Sequence, residues 1–247
     1  MKNVAILVLG VLVSQLSFAQ RDGGVGETEF KFGLKGAANI GFTVPGTKSI
    51  KANGTKMGFA YGVMGDFYFN PNYALSTELL ISQINTKLQL NNLPQRFVED
   101  KDSTVVNDLE YTYNLQYVEI PLSMKFRTKE IGNITYWGNF GFSPSILLTA
   151  KATIEGNIPQ VIKDLDPVGY GVNDNEGDAF TTDNFEDKVF LFRFPLIVGG
   201  GIEYKMAGST SLYGGLRYAN SFTDILVKEK DANAKNNYVS INVGVFF

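Results

Sequence analysis

The chain has 247 residues, enough for one β-rich domain or two small ones. Hydrophobic residues are 44% and charged residues 19%, which excludes both a disordered chain and a bundle of membrane helices. A net charge of −3 argues against a general nucleic-acid footprint, and no nucleic-acid partner is expected. The absence of Cys and His removes disulfides, thiol nucleophiles, acylation on Cys, imidazole bases and His-ligated metals.

Residues 1–19 read as a secretory signal peptide. Lys2 precedes a short apolar run from Val4 to Val13, and Ser17-Phe18-Ala19 places small residues at the −3 and −1 positions of a cleavage site. The run is too short for a membrane helix, which needs about 20 residues. Residues 20–247 then form the β-barrel domain.

Beyond it, the 26 glycines and 13% aromatic residues suit sheets with tight turns. A strand can cross a bilayer with about 9–11 residues of alternating polarity. Eight segments alternate. The first, Phe30 to Ile40, sets Phe32 and Leu34 against Lys31 and Lys35. The second, Met57 to Phe69, sets Phe59, Tyr61 and Phe67 against Met64 and Asp66. Tyr73 to about Ile84 sets Leu75 and Leu79 against Ser76 and Glu78. In the fourth, about Tyr111 to Arg127, Ile120 and Leu122 oppose Glu119, Pro121 and Lys125. Its first half fits less well, because Leu115 and Tyr117 fall on the polar side; a bulge there would restore the alternation. The fifth, Ile134 to Leu148, sets Tyr136 and Phe140 against Trp137 and Asn139. Val189 to Tyr204 sets Phe192 and Val198 against Arg193 and Glu203. Ser211 to Phe222 sets Leu212 and Leu216 against Tyr213 and Arg217. The last, Tyr238 to Phe247, sets Ile241, Val243 and Val245 against Ser240 and Asn242.

The connections alternate in length. Those near 41–56, 85–110, 149–188 and 223–237 are long, and those near 70–72, 128–133 and 205–210 are short. Outer-membrane barrels have even strand numbers, short periplasmic turns and longer outer loops. The expected fold is all-β: an eight-stranded antiparallel up-and-down transmembrane barrel with both termini in the periplasm.

The charges decide which face meets lipid. One face collects Lys31, Lys35, Asp66, Glu78, Glu119, Lys125, Arg193, Glu203 and Arg217. A Lys or Arg facing lipid costs about 2–4 kcal/mol near the midplane. These nine residues are therefore expected to pair with one another inside, in a lumen too narrow for an aqueous channel. The bulky apolar face is too large to fill an eight-stranded interior, so it looks outward. Phe32, Phe69, Tyr73, Phe126, Tyr136 and Tyr204 suit a periplasmic aromatic girdle, and Phe59, Tyr61, Phe190, Phe192 and Tyr218 an outer one. A soluble lipocalin-like barrel would reverse the two faces.

The segment Tyr117-Val118-Glu119-Ile120-Pro121-Leu122-Ser123-Met124-Lys125 resembles a Tyr-Leu-Glu-Ile-Pro-Leu-x-x-Lys strand of the PorT-like outer-membrane β-barrel family of Gram-negative bacteria. The Ala19-Gln20 junction, the Gly199-Gly200-Gly201 strand and the terminal Phe247 are similar to that family too. The resemblance implies an eight-stranded barrel of the "porin family" kind, without an established pore, whose founding member serves protein secretion and gliding. Alternate apolar residues back from Phe247, Val243 and Val245 among them, resemble the assembly signal read by the barrel-insertion machinery.

Other motifs carry less. Asn173-Asp174-Asn175-Glu176-Gly177-Asp178 lacks EF-hand spacing, so the acidic segment 164–187 reads as a solvated loop that could gather divalent ions near lipopolysaccharide. The glycines at 199–201 lack the helix and Lys-Ser/Thr of a phosphate loop. Asp102-Ser103-Thr104 resembles a short O-glycosylation acceptor. Without histidine, the hydrolase chemistry of enzymatic barrels is closed, and Glu78 with Glu119 would be a poorly accessible carboxylate pair. No cofactor, catalytic residue or metal ligand is expected. The function expected is a non-enzymatic outer-membrane barrel that anchors and meets an envelope or secretion partner, with a small-solute channel and a soluble binding protein as alternatives.

Overall fold

The computed structural model describes residues 29–46, 50–90, 109–155, 172–174, 179–182, 189–206, 208–225 and 234–247. The expected signal peptide (residues 1–19), the segment Asp102-Ser103-Thr104 and most of the acidic segment lie outside them.

Eight antiparallel strands form a closed ring. They are β1 (Glu29–Pro45), β2 (Ile50–Asn70), β3 (Tyr73–Leu90), β4 (Leu109–Glu119 and Leu122–Arg127), β5 (Ile134–Phe142 and Ser145–Glu155), β6 (Phe192–Arg193 and Pro195–Lys205), β7 (Ser211–Ser221) and β8 (Ala234–Phe246). Each pairs with the next in sequence. The last closes on the first, from Gly33↔Phe246 to Pro45↔Ala234. Closure satisfies the backbone of every wall strand on both sides, which is what a sheet in hydrocarbon requires. Val172–Asp174 and Ala179–Thr182 form a small hairpin on the far end of β5.

The two-residue period sorts the side chains. Phe59, Tyr61, Phe192, Leu216 and Val243 point outward and are each more than half exposed. Lys35, Asp66, Glu119 and Arg217 on the opposite face are buried. This is the outer-membrane arrangement, and it overturns the soluble lipocalin-like alternative, which needs the reverse. The turns Asn70–Tyr73, Thr128–Asn133 and Met206–Thr210 lie at the same end as Glu29 and Phe247. Positive φ values at Gly132 and Gly208, both +64°, let two of them close in so few residues.

Two sequence expectations need correction. The first long connection, 41–56, is mostly strand: β1 runs to Pro45 and β2 starts at Ile50. The first strand therefore continues past Ile40, and Thr43 is an inward-facing lumen residue like Asn39 before it. The misfit in β4 is not a bulge in that strand. Tyr113, Leu115, Tyr117 and Glu119 all face inward and are fully buried, so β4 keeps one parity. The register shift lies in the neighbouring strand, where Gln116 faces Thr149 but Tyr117 faces Leu147. Beyond that shift Ala150 and Ala152 turn inward. A bulge in β5 thus reorients its outer half.

Three prolines sit in the wall. Pro121, Pro144 and Pro195 interrupt β4, β5 and β6, yet the register is unchanged across the gaps. Leu80 faces Glu119 and Thr77 faces Leu122. Each proline accepts a ladder bond that it cannot return: Glu78 N–H to Pro121 O at 3.0 Å, Ile120 N–H to Pro144 O at 2.9 Å, and Ser143 N–H to Pro195 O at 2.9 Å. The Ser143 carbonyl, left without Pro195 as donor, accepts the Ser145 hydroxyl at 2.7 Å instead. The glycine run in β6 has a packing reason. A Cβ on Gly201 would lie 2.8 Å from Cζ2 of Trp137, and one on Gly215 2.4 Å from the same atom. Glycines on β6 and β7 thus form the bed on which the inward-facing indole lies.

The lipid face yields a direct test. Leu216 sits mid-strand and 58% exposed, pointing away from the lumen. Leu216→Arg is expected to destabilise the barrel by about 2–4 kcal/mol in urea unfolding from phospholipid vesicles, whereas Leu216→Phe leaves it near wild type.

Candidate functional site

The candidate site is the lumen. Inward positions of non-adjacent strands bring their charges together across the lumen in layers.

In the central layer Glu78 of β3 meets two cations. Lys35 Nζ lies 2.9 Å from Oε2, while the Arg217 guanidinium donates to Oε2 at 2.9 Å and to Oε1 at 2.5 Å. All three side chains are nearly inaccessible. The two-pronged contact uses the planar fork of arginine and holds the carboxylate in one orientation.

Toward the periplasmic end, Lys125 of β4 bridges Asp66 at 2.5 Å and Glu203, with the Tyr68 hydroxyl donating to Asp66 at 3.2 Å. The ammonium is ringed by aromatic groups: 5.5 Å from the Trp137 centroid, 5.4 Å from Tyr213 and 4.8 Å from Phe246. Trp137 stacks on Tyr213 at 4.7 Å, and Tyr213 meets Phe246 edge-on. With Met64 these rings form a buried apolar cluster in the lumen.

Toward the outer end, Arg193 of β6 donates to Glu119 Oε1 at 3.3 Å and to the Asn236 carbonyl at 2.7 Å. Tyr238 donates to the other Glu119 oxygen at 3.2 Å. Above this layer the barrel is pinched. Asn39 of β1 donates to Ser82 of β3 at 3.0 Å, and the Thr43 and Thr86 hydroxyls bond at 2.5 Å. A Cβ on Gly41 would stand 2.0 Å from the Asn85 carbonyl, so glycine is what lets β1 press against β3 here. Ile84, Leu88 and Leu115, all fully buried, fill the remaining space.

Eight of the nine charges singled out in the sequence sit within these layers. Lys31 does not join them. It lies at the periplasmic mouth, partly exposed and 3.7 Å from Glu29. Sequence reasoning placed Arg127 on the inward face but left it out of the network. Its guanidinium stacks 3.8 Å above the Tyr68 ring, and its Nε donates to the Pro71 carbonyl at 2.6 Å. Tyr117 and Tyr238 are lumen groups too: Tyr117 keeps the polar-side parity for which a bulge is expected from sequence, and Tyr238 shares the face of Ser240 and Asn242. Their inward parity was the available signal. Val243 and Phe247 face outward, and Val245 is half-buried on the same side. The Phe247 amide donates to Phe32 O at 2.8 Å, so the last residue is still held by β1.

The lumen ends below in a cavity of about 520 Å3 open at the periplasmic mouth, lined by residues that include Lys31, Arg127, Lys205, Glu203 and Ser211. Its inner wall is the Lys125–Glu203 pair and the aromatic cluster behind it. Among the described residues, no group of three or more acidic residues could hold a metal ion.

Chemically, this arrangement fills space and locks strands together. Removing one partner of a buried pair leaves an uncompensated charge, which costs about 3–5 kcal/mol. Glu78→Gln strands both Lys35 and Arg217 and is expected to show a loss of that size in urea unfolding from vesicles. Lys35→Met, which leaves the Arg217–Glu78 fork, is expected to cost less than half as much.

Solved structures that the chain resembles include OprG from Pseudomonas aeruginosa (TM-score 0.45, 10% identity, covering 90% of this chain and 97% of that one). Neisserial surface protein A has a TM-score of 0.40 and 14% identity, covering 87% and 97%. Ail of Yersinia pestis has a TM-score of 0.38 and 12% identity, covering 89% and 99%. The protease OmpT from Escherichia coli is also among the similar structures, at 10% identity and a TM-score of 0.41, covering 93% and 99%. A search of curated proteins finds no match. The family model described as "Outer membrane protein beta-barrel domain" matches residues 18–227, and the chain, closed into a ring with its charges inside, belongs to that family.

Proposed function

We propose that this chain is a non-enzymatic barrel of the PorT type, which anchors in the outer membrane and meets a partner of the secretion or envelope-assembly apparatus. The observation that carries the reading is the closed lumen. Three layers of paired charges, an aromatic cluster around Lys125 and the β1–β3 pinch fill its interior. A barrel filled this way offers its ends rather than a path. The strand Tyr117–Lys125 supports the PorT assignment by its residues.

The non-enzymatic reading rests on side-chain chemistry. The chain has no histidine or cysteine. Glu78 and Glu119, the carboxylates best placed for acid–base work, are buried and held by Arg217, Lys35, Arg193 and Tyr238. Export through a signal peptide cleaved after Ala19, insertion through the Val243, Val245 and Phe247 signal, and contact with lipopolysaccharide at the outer rim complete the proposal.

The alternative, a small-solute channel, is separated by one measurement. Purified protein in planar bilayers is expected to give no steady single-channel current. Steady currents that disappear in Arg193→Ala would replace the anchoring reading with the channel.

A further inference from the structure

The cavity at the periplasmic mouth is a cup whose lining includes Glu203. Behind Glu203, Lys125 and the Trp137, Tyr213 and Phe246 rings occupy the lumen.

Its walls are cationic. Lys31, Arg127, Lys129 and Lys205 line it. Of the lining carboxylates, Glu203 is taken by Lys125 from beneath, and Glu130 lies 3.4 Å from Lys205. That leaves Glu29 facing two cations at once. It stands 3.4 Å from Arg127 and 3.7 Å from Lys31, contacts too long for good charge-assisted hydrogen bonds, and its side chain is 52% exposed.

The two cations are better fixed than the carboxylate. Arg127 is clamped between the Tyr68 ring and the Pro71 carbonyl, and Lys31 lies 5.7 Å from the same ring. Glu29 behaves as a loosely seated stand-in for an anion.

We propose that this cup is a docking site for a carboxylate-rich polypeptide segment of a periplasmic partner, whose side-chain carboxylate displaces Glu29 from Arg127 and Lys31. The inference rests on the anchoring reading, since it gives that anchor a place to hold its partner. The choice of a polypeptide follows from the cup itself. Its two-cation seat holds a carboxylate of the size of Glu29's, and the whole cavity of about 520 Å3, which also reaches Lys129 and Lys205, has room for more than one residue.

The test uses the full chain in detergent, with fluorescein-labelled hexaglutamate as probe and hexalysine as control, read by fluorescence polarisation. Heat-modifiable migration on gels confirms that each variant is folded. Hexaglutamate is expected to bind and hexalysine not to. Arg127→Gln and Lys31→Gln are expected to weaken binding at least tenfold. Glu29→Gln is expected to tighten it several-fold, a change that a purely structural Glu29 would not produce. Equal binding of the two peptides, or weaker binding in Glu29→Gln, overturns the proposal. So does inorganic phosphate displacing the probe at concentrations where free glutamate does not. The bilayer measurement is independent: conductance defeats the anchoring reading, while loss of peptide binding in a non-conducting barrel defeats the cup alone.

Discussion

The ladder between β1 and β8 is the constraint from which the rest follows. Thirteen residue pairs, from Gly33↔Phe246 to Pro45↔Ala234, join the two ends of the sheet. Without that seam, two strand edges would carry unpaired N–H and C=O groups into hydrocarbon, each costing several kcal/mol. With it, the wall has a single inside and a single outside, and every residue is assigned to one of them by parity. Phe247, bonded to Phe32 O, extends the seam to the end of the chain.

Closure also creates the central energetic difficulty. An eight-stranded ring has room for side chains and little else. The inward charges therefore lose most of their water and must be answered by one another. Glu78 between Lys35 and Arg217, and Lys125 between Asp66 and Glu203, meet that demand with contacts across strands far apart in sequence. Such pairs need not make the barrel more stable than an apolar filling would. They fix which strands face each other, because a shifted register would leave an ion unpaired. The aromatic groups around Lys125 add cation–π attraction in a region of low polarity.

Some of the site was invisible to residue type. Tyr117 and Tyr238 belong by composition with the girdle residues, yet they donate to or pack on the Glu119–Arg193 pair. Leu115 falls on a face that is otherwise polar, which suggests a bulge when sequence alone is read. At that depth the lumen is pinched and dry, so leucine and charge share one surface. Lys31 had the right parity and the wrong depth: parity tells inside from outside, but says nothing about distance from the mouth. Pro121 would ordinarily argue against a central strand. It is tolerated because β4 keeps its register around it and the Pro121 carbonyl still accepts the Glu78 N–H.

Read as sequence alone, the chain determined the strand number, the facing of Phe59, Leu216, Lys35 and Arg217, and the short turns at one end. Each of these follows from a two-residue period or a local turn signal, and both are written in neighbouring residues. The tertiary structure decided which charge answers which, where the β5 bulge falls, how β1 meets β3 at Gly41, and how Arg127, Lys31 and Glu29 gather at the mouth. Those depend on strand stagger and ring closure, which bring together residues that no local pattern links.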